Sequence, residues 1–329
     1  MRAIQIVQPG GPEALVVVDI PTPVPGAGEI RVKAEVIGIG RPDVLVRKGV
    51  YKWMPPLPAI PGSEMVGVVD ALGDGVKTQL LGLRVLVSAR ELTVRGGCYA
   101  EFICVPASAV YVLPDTLDPV DAASLPNLQF VNALWTCNGE RPVRSILIPG
   151  VAGGVGSTLA QFARMKGVQV IGSTSSPEKE QFALGNGVDT LVKGDSQTLP
   201  PHVMQATGGR GVDLAIDQLG GDTLIACLRS LAPMGMVVSI NVVTGMPTQD
   251  VFKEMRALLS RSPALRTFSM HTLDEDVTVR RGLMQAAIEQ MASGQVKAPT
   301  AQVLALSQIQ QAHAWLDAGA SRGKLVIRL

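Results

Sequence analysis

Residues 143–172 read VRSILIPGVAGGVGSTLAQFARMKGVQVIG. Ser145 to Ile148 is a short apolar run of the kind a buried parallel strand needs. Gly150, Gly153, Gly154 and Gly156 follow at once, with Ala152 and Val155 among them. Ser157 to Lys166 then has helical spacing, with Leu159, Phe162, Ala163 and Met165 apolar, and Val168 to Ile171 is a second strand that closes a β-α-β unit. A glycine turn at that place brings bare backbone N–H groups and a helix N-terminus against a pyrophosphate, where a Cβ would hold the phosphates away. The spacing G-x-x-G-G-x-G departs from G-x-G-x-x-G and lacks the Lys-Ser/Thr of a P-loop. A turn that merely packs a helix on a sheet is therefore the competing reading. The strand before it, and the helix and strand after it, favour dinucleotide binding by Gly150, Ala152, Gly153, Gly154, Val155 and Gly156.

The end of the second strand bears on which dinucleotide. An NAD site usually has Asp or Glu there to take the ribose 2′-hydroxyl. Here the chain runs Gly172, Ser173, Thr174, Ser175, Ser176, Pro177, Glu178, Lys179, with no acid at the strand tip. The hydroxyls of Ser173, Thr174 and Ser175 and the ammonium of Lys179 suit a 2′-phosphate, and a charge-assisted hydrogen bond contributes roughly 1.5–3 kcal/mol. The same residues also read as a helix cap, Ser176 at the N-cap and Pro177 at the first helical position. The two readings are compatible, because such a cap is itself an anion site. The expected cofactor is NADPH.

The chain has 329 residues, enough for about two domains and a sizeable core. A net charge of +1, 17% charged residues and 4% aromatics give no electrostatic or stacking case for nucleic acid or an anionic membrane. Met1 to Val7 reads as a strand and not as a signal peptide, and no apolar run approaches ~20 residues. Cys98, Cys104, Cys137 and Cys227 form neither a C-x-x-C nor a disulfide framework, so a reduced cytoplasmic protein is expected.

Residues 1 to about 120 read as an all-β half, with strands at 2–7, 15–19, 29–39, 65–72 and 84–87 punctuated by Pro and Gly. From Asp118 the pattern changes. A helical run from Asp121 to Thr136 leads into strands at 145–148, 168–171, 190–192, 212–216 and 236–240, with helices at 177–185 and 222–231. That alternation predicts a doubly wound parallel sheet. Residues 264–270 read as a sixth strand, 276–293 and 309–317 as helices, and 324–328 as a last strand.

These blocks together resemble the medium-chain dehydrogenase/reductases, in their zinc-free quinone oxidoreductase (zeta-crystallin-like) branch. The resemblance is carried by Gly28 to Val32, Pro61 to Gly67, Ala152 to Gly156, Thr207 to Asp213, Asp217 to Gly221 and Gly323 to Val326, in order and at family spacing. It implies a Rossmann domain inserted into a GroES-like, partly open β-barrel catalytic domain, with a cleft between them. The expected division is 1–121 and 271–329 for the catalytic domain and 122–270 for the NADPH-binding domain. Zinc-dependent relatives have Cys where this chain has Gly40 and His where it has Ser63. Neither replacement supplies a thiolate or imidazole, so no metal is expected. Without a Lewis acid, reduction of an electron-poor C=C or quinone is the expected chemistry.

The resemblance further implies a proton or hydrogen-bond donor at Tyr51, from the D-x-x-x-x-x-G-x-Y stretch Asp43 to Tyr51. A Tyr packed beside Trp53 and Met54 is the alternative. Gly40, Asp43, Arg47, Tyr51, Trp53 and Phe130 form the expected substrate pocket. Arg41, Arg47, Lys48 and Lys52 read either as an attractor for a carboxylate or coenzyme A phosphates or as a solvated basic rim. Leu219, Ile240 and Asn241 are expected along the nicotinamide riboside, and Lys193 as a second 2′-phosphate partner or a surface lysine. Strand 265–270 resembles the edge through which these enzymes dimerise. The expected activity is NADPH-dependent reduction of a quinone or an α,β-unsaturated carbonyl compound. An enoyl-thioester reductase and a catalytically weak NADPH-binding structural or RNA-binding protein are the alternatives.

Overall fold

The computed structural model describes residues 1–329 and contains two compact units: residues 1–126, 288–294 and 298–329, and residues 127–287 with 295–297. The first unit begins with β1 (Arg2–Gln5), β2 (Val16–Asp19), β3 (Glu29–Ile39), α1 (Arg41–Arg47), β4 (Glu64–Leu72), β5 (Arg84–Ser88), β6 (Phe102–Pro106), β7 (Val110–Val112) and α2 (Pro119–Ala122). After α3 (Leu125–Trp135) come β8 (Ser145–Pro149), α4 (Gly154–Met165), β9 (Gln169–Ser173), α5 (Pro177–Gly185), β10 (Thr190–Leu191) and α6 (Leu199–Ala206). The second unit continues through β11 (Val212–Asp217), α7 (Asp222–Arg229), β12 (Leu231–Ser239), α8 (Val251–Ala257), β13 (Ala264–Thr267) and into α9 (Val277–Ala292). The chain then completes the first unit with β14 (Thr300–Ala305), α10 (Ile309–Asp317) and β15 (Lys324–Arg328). No helix is long and apolar enough to cross a membrane.

The sheet of the second unit is parallel throughout, in the order β10-β9-β8-β11-β12-β13. Every residue of β8 is buried, as a central strand covered on both faces demands. Leu147, Ile171, Ala215 and Val237 pack with Val203 of α6 and Leu224, Ile225 and Leu228 of α7. Strand order runs outward from β8 in both directions, so the carboxyl end of β8 is the topological switch point where such sheets bind ligands. The doubly wound reading is borne out, with β13 at its edge.

In the first unit, seven strands are ordered β14-β15-β3-β4-β5-β7 with β6 also on β3, and β1 and β2 pair separately. The register of β3 on β4 shifts between Ala34 and Val36, a bulge that redirects the strand. Before it, Ile30, Val32 and Ala34 enter a core with Met65, Val85 and Val105; beyond it, Ile37 and Ile39 enter another with Ile4, Ile6, Ile309 and Ile327.

The units part at 126/127 and 287/288, inside α3 and α9, and not at the expected 121/122 and 270/271. These two boundaries lie within continuous helices, so no turn signal marks them; only the short return of residues 295–297 to the second unit falls in the turn after α9. Helices α1, α6 and α8 and strands β6, β7 and β14 were not legible, being elements of three to eight residues, too short for a hydrophobic period to register.

One core residue gives the first unit a pH dependence. His313 is fully buried, with its Nε2 3.1 Å from the Tyr99 hydroxyl. Burial, reinforced by the nearby Arg47 charge, pulls its imidazole down to about 3. Between pH 6.5 and about 3 the unfolded chain therefore binds a proton that the folded chain refuses. Stability contributed by neutral His313 is complete above that window and is lost as pH falls through it. Denaturant unfolding at stepped pH should show the wild type losing up to ~1.4 kcal/mol per pH unit more than His313→Gln over this range; parallel curves would contradict the assignment.

Candidate functional site

The turn after β8 is shaped by two glycines. Gly150 has φ +67, and a Cβ there would lie 3.2 Å from Leu219 Cδ2. Gly156 sits where α4 folds back on the turn after β8, and a Cβ would come within 2.8 Å of the Val151 carbonyl oxygen and 2.9 Å of its Cα. The Ser157 hydroxyl donates to that same carbonyl at 3.0 Å, and Val151 N–H donates to Ser173 O at 3.1 Å. Gly153 is the N-cap of the twelve-residue α4 and supplies no side-chain cap. The first-turn N–H groups, at Gly154, Val155 and Gly156, are thus left to a ligand or solvent, at the positive end of the helix dipole. Ala152 lies buried within the turn. Together they make a backbone anion cradle at the switch point.

Beyond β9, Ser173 is buried, the Thr174 hydroxyl faces the Ser176 carbonyl at 3.4 Å, and Lys179 Nζ donates to Ser175 Oγ at 3.1 Å. Ser176 is the N-cap of α5 with Pro177 next, but its side chain makes no capping hydrogen bond. The structure therefore brings Ser175 and Lys179 together at an open helix terminus. Partial burial lowers the Lys179 ammonium. Lys193 is exposed and pairs with Glu180 Oε1 at 3.1 Å, an engagement its sequence neighbourhood did not reveal.

A second wall follows β11. Asp217 is buried; burial pushes its carboxyl up, while the N–H groups of Leu219 and Gly220 donate to its Oδ1 at 3.1 and 2.9 Å and oppose that rise. Ile240 N–H donates to the Asp217 carbonyl at 2.9 Å, and Asn241 Oδ1 accepts from Val242 N–H at 2.9 Å. Leu219 is thereby set against Gly150. The neighbouring Gln218 donates from Nε2 to the Pro149 and Gly150 carbonyls at 2.8 and 3.0 Å. Sequence reasoning missed this residue, since nothing local to a lone Gln signals carbonyls 68 and 69 residues away. Elsewhere in the unit, Phe130 meets Phe268, ring centroids 5.6 Å apart.

In the first unit, Gly40 caps α1 and its N–H donates to Asp43 Oδ2 at 2.8 Å, while Ser63 Oγ donates to Asp43 Oδ1 at 2.6 Å. Asp43 has no exposed surface; burial pushes its carboxyl up against these hydrogen bonds. Arg47 is also fully buried, with Nη2 2.5 Å from Asp317 Oδ2, and Lys48 takes the other oxygen at 2.7 Å. Two expectations are corrected here. Asp43 and Arg47 have no exposed surface with which to line a substrate pocket, and Arg47 and Lys48 are not a free basic rim, because both engage the single Asp317 carboxylate, which offsets one of their two charges. Tyr51 packs on the core cluster containing Ile4 and Leu306, 5.7 Å from the Trp53 ring, and Lys52 lies 5.2 Å over that ring.

Comparison with known proteins adds the following. The alcohol dehydrogenase GroES-like domain family matches residues 26–115, and the zinc-binding dehydrogenase family matches residues 186–327. A quinone oxidoreductase of Salmonella typhimurium is 31% identical over 97% of this chain and 96% of its own length. A mycobacterial structure complexed with NADPH is 30% identical with a TM-score of 0.87 over 100% of both chains. The Escherichia coli quinone oxidoreductase complexed with NADPH is 27% identical with a TM-score of 0.83, also over 100% of both.

The zinc named in one of those family descriptions does not fit this donor set. Gly40 offers no side chain, the Ser63 hydroxyl is committed to Asp43, and Glu64 is paired with Lys324. Burial pushes the Cys98 thiol up, away from the thiolate a metal needs, and no three His, Cys, Asp or Glu residues stand together. The glycine turn gives the sharper test. Gly156→Ala forces its Cβ into the Val151 backbone and should cost about 1–3 kcal/mol, read as a lower Tm. Gly153→Ala, whose Cβ would meet nothing nearer than the Gly150 carbonyl oxygen at 3.6 Å, should leave Tm near wild type. Equal effects would contradict this reading of the turn.

Proposed function

Because this chain belongs to the quinone oxidoreductase-like branch of the medium-chain dehydrogenase/reductase superfamily, we propose that it is an NADPH-dependent reductase of quinones or of the activated C=C of α,β-unsaturated carbonyl compounds. The observation that carries this is the uncapped glycine turn at the switch point, followed one strand later by a hydroxyl-rich turn holding Lys179 and no acid at the strand tip. The NADPH complexes of two relatives that align along the entire chain support the same cofactor.

When bound, NADPH supplies the hydride. The backbone N–H groups of Gly154 to Gly156 hold its pyrophosphate in the field of the helix terminus. Ser173, Thr174, Ser175 and Lys179 hold the 2′-phosphate through charge-assisted hydrogen bonds. Lys193 can join them by leaving Glu180. Leu219, Ile240 and Asn241 line the nicotinamide riboside. The reaction proceeds without a metal: the acceptor is already electron-poor, so it needs a hydrogen bond rather than a Lewis acid where charge accumulates. Tyr51 donates that hydrogen bond to the substrate oxygen, beside Trp53. The protein acts as a homodimer through the β13 edge, which pairing with a second copy would cover.

Two substitutions separate these roles. Lys179→Ala should raise the KM for NADPH about tenfold or more while leaving the KM for NADH within about twofold; equal increases would remove the 2′-phosphate assignment. Tyr51→Phe should lower kcat for an enone about a hundredfold, measured at saturating NADPH. Unchanged turnover would leave Tyr51 as a packing residue.

A further inference from the structure

Gln218 stands apart from the groups given a role so far. Its Nε2 donates one hydrogen bond to the Pro149 carbonyl at 2.8 Å and one to the Gly150 carbonyl at 3.0 Å. A primary amide has two N–H donors, and both are used on the last residue of β8 and the first residue of the glycine turn. With two carbonyl acceptors facing it, the amide has only one satisfactory orientation, nitrogen toward the turn.

The backbone on either side is equally constrained. On one side, the Gly156 position leaves no room for a Cβ, which would lie 2.8 Å from Gln218 Nε2. On the other, the loop carrying Gln218 is fixed at its base by Asp217, which accepts from Leu219 and Gly220 N–H. It is fixed again at its far side by the loop after β12: Thr244 N–H and Thr244 Oγ1 both donate to the Leu219 carbonyl, at 2.8 and 3.1 Å, and Gly221 N–H donates to Gly245 O at 2.7 Å. The side chain of Gln218 supplies the polar link by which this fixed loop holds the two carbonyls that begin the anion cradle; Leu219 adds an apolar contact on Gly150.

We propose that Gln218 is a positioning residue for cofactor binding: it locks the pyrophosphate turn at Gly150 to the riboside-side loop at Leu219, so that both walls are set before the cofactor arrives. Preorganised donors cost no reorganisation on binding, which is where the advantage lies. This inference rests on the NADPH reading above. It goes beyond that reading because it assigns affinity to a side chain that acts through the backbone of other residues.

Two variants test it. Gln218→Met keeps the length of the side chain and removes both donors. Gln218→Glu keeps the shape and turns a carboxylate toward two carbonyl oxygens. The Kd for NADPH should rise about tenfold in the first and further in the second, with Tm within a few degrees of wild type. KM for NADPH should rise while kcat at saturating NADPH stays within about twofold. In the free protein, amide hydrogen exchange at residues 150–156 should quicken in both variants, a readout that needs no cofactor. Wild-type NADPH affinity and wild-type exchange in Gln218→Met would overturn the proposal, as would a broad loss of Tm with exchange quickened throughout the unit. Wild-type protein that binds no NADPH would overturn the functional reading itself, and with it the role assigned here.

Discussion

The approach of α4 to the turn that leads out of β8 leaves no space for a side chain, and the anion cradle follows from that contact. A Cβ at position 156 would enter the Val151 backbone, so the first turn of the helix can lie this close to the preceding turn only with glycine there. The start is left without a side-chain cap, at the carboxyl end of a central strand, where strands order outward on both sides. A packed, apolar sheet thereby ends in a group of oriented N–H donors that nothing in the chain satisfies. The oriented donors are thus a consequence of packing, and the loop after β11 supports the turn through Gln218.

The first unit follows a different logic. Four of its charged residues, Asp43, Arg47, Glu64 and Lys324, are buried, and each has a partner: Asp43 with Ser63 and the Gly40 N–H, Glu64 with Lys324, Arg47 with Asp317. Breaking any one of these pairs leaves a buried charge uncompensated, which is far more costly than the pair is worth. Such pairs join α1 and β4 to α10 and β15, segments more than 250 residues apart in the chain. The C-terminal return of the chain is therefore held by charge as well as by the shared core of Ile37, Ile309 and Ile327. Gly40 and Ser63 are part of this hydrogen-bonded support, both on Asp43.

What was legible in the sequence follows the range of the interactions involved. The β8-α4-β9 unit, α5 and α10 are encoded by local periodicity; α5 and α10 have the bounds the sequence predicts, while α4 begins three residues before the expected Ser157, at Gly154 inside the glycine turn. The glycine turn before α4 and the Ser173 to Lys179 turn before α5 stand where the sequence places them, because their geometry is set locally. Arg47 was not: beside Lys48 it reads as a solvated charge run, and only the fold brings Asp317 to it across 270 residues. Gln218 was missed for the same reason, its carbonyl partners being supplied by another strand. Domain boundaries were missed because α3 and α9 pass through them without interruption.

The central claim is NADPH-dependent reduction of an electron-poor acceptor by a metal-free site. Its most direct test is NADPH oxidation by the purified, chelator-treated protein against a benzoquinone, a naphthoquinone, an enone and a crotonyl thioester, each repeated with NADH. The account predicts turnover of the quinones or the enone with NADPH, slower turnover with NADH, and no loss of rate after chelation. Activity that disappears on chelation and returns with zinc, or oxidation that proceeds equally with both cofactors, would contradict it.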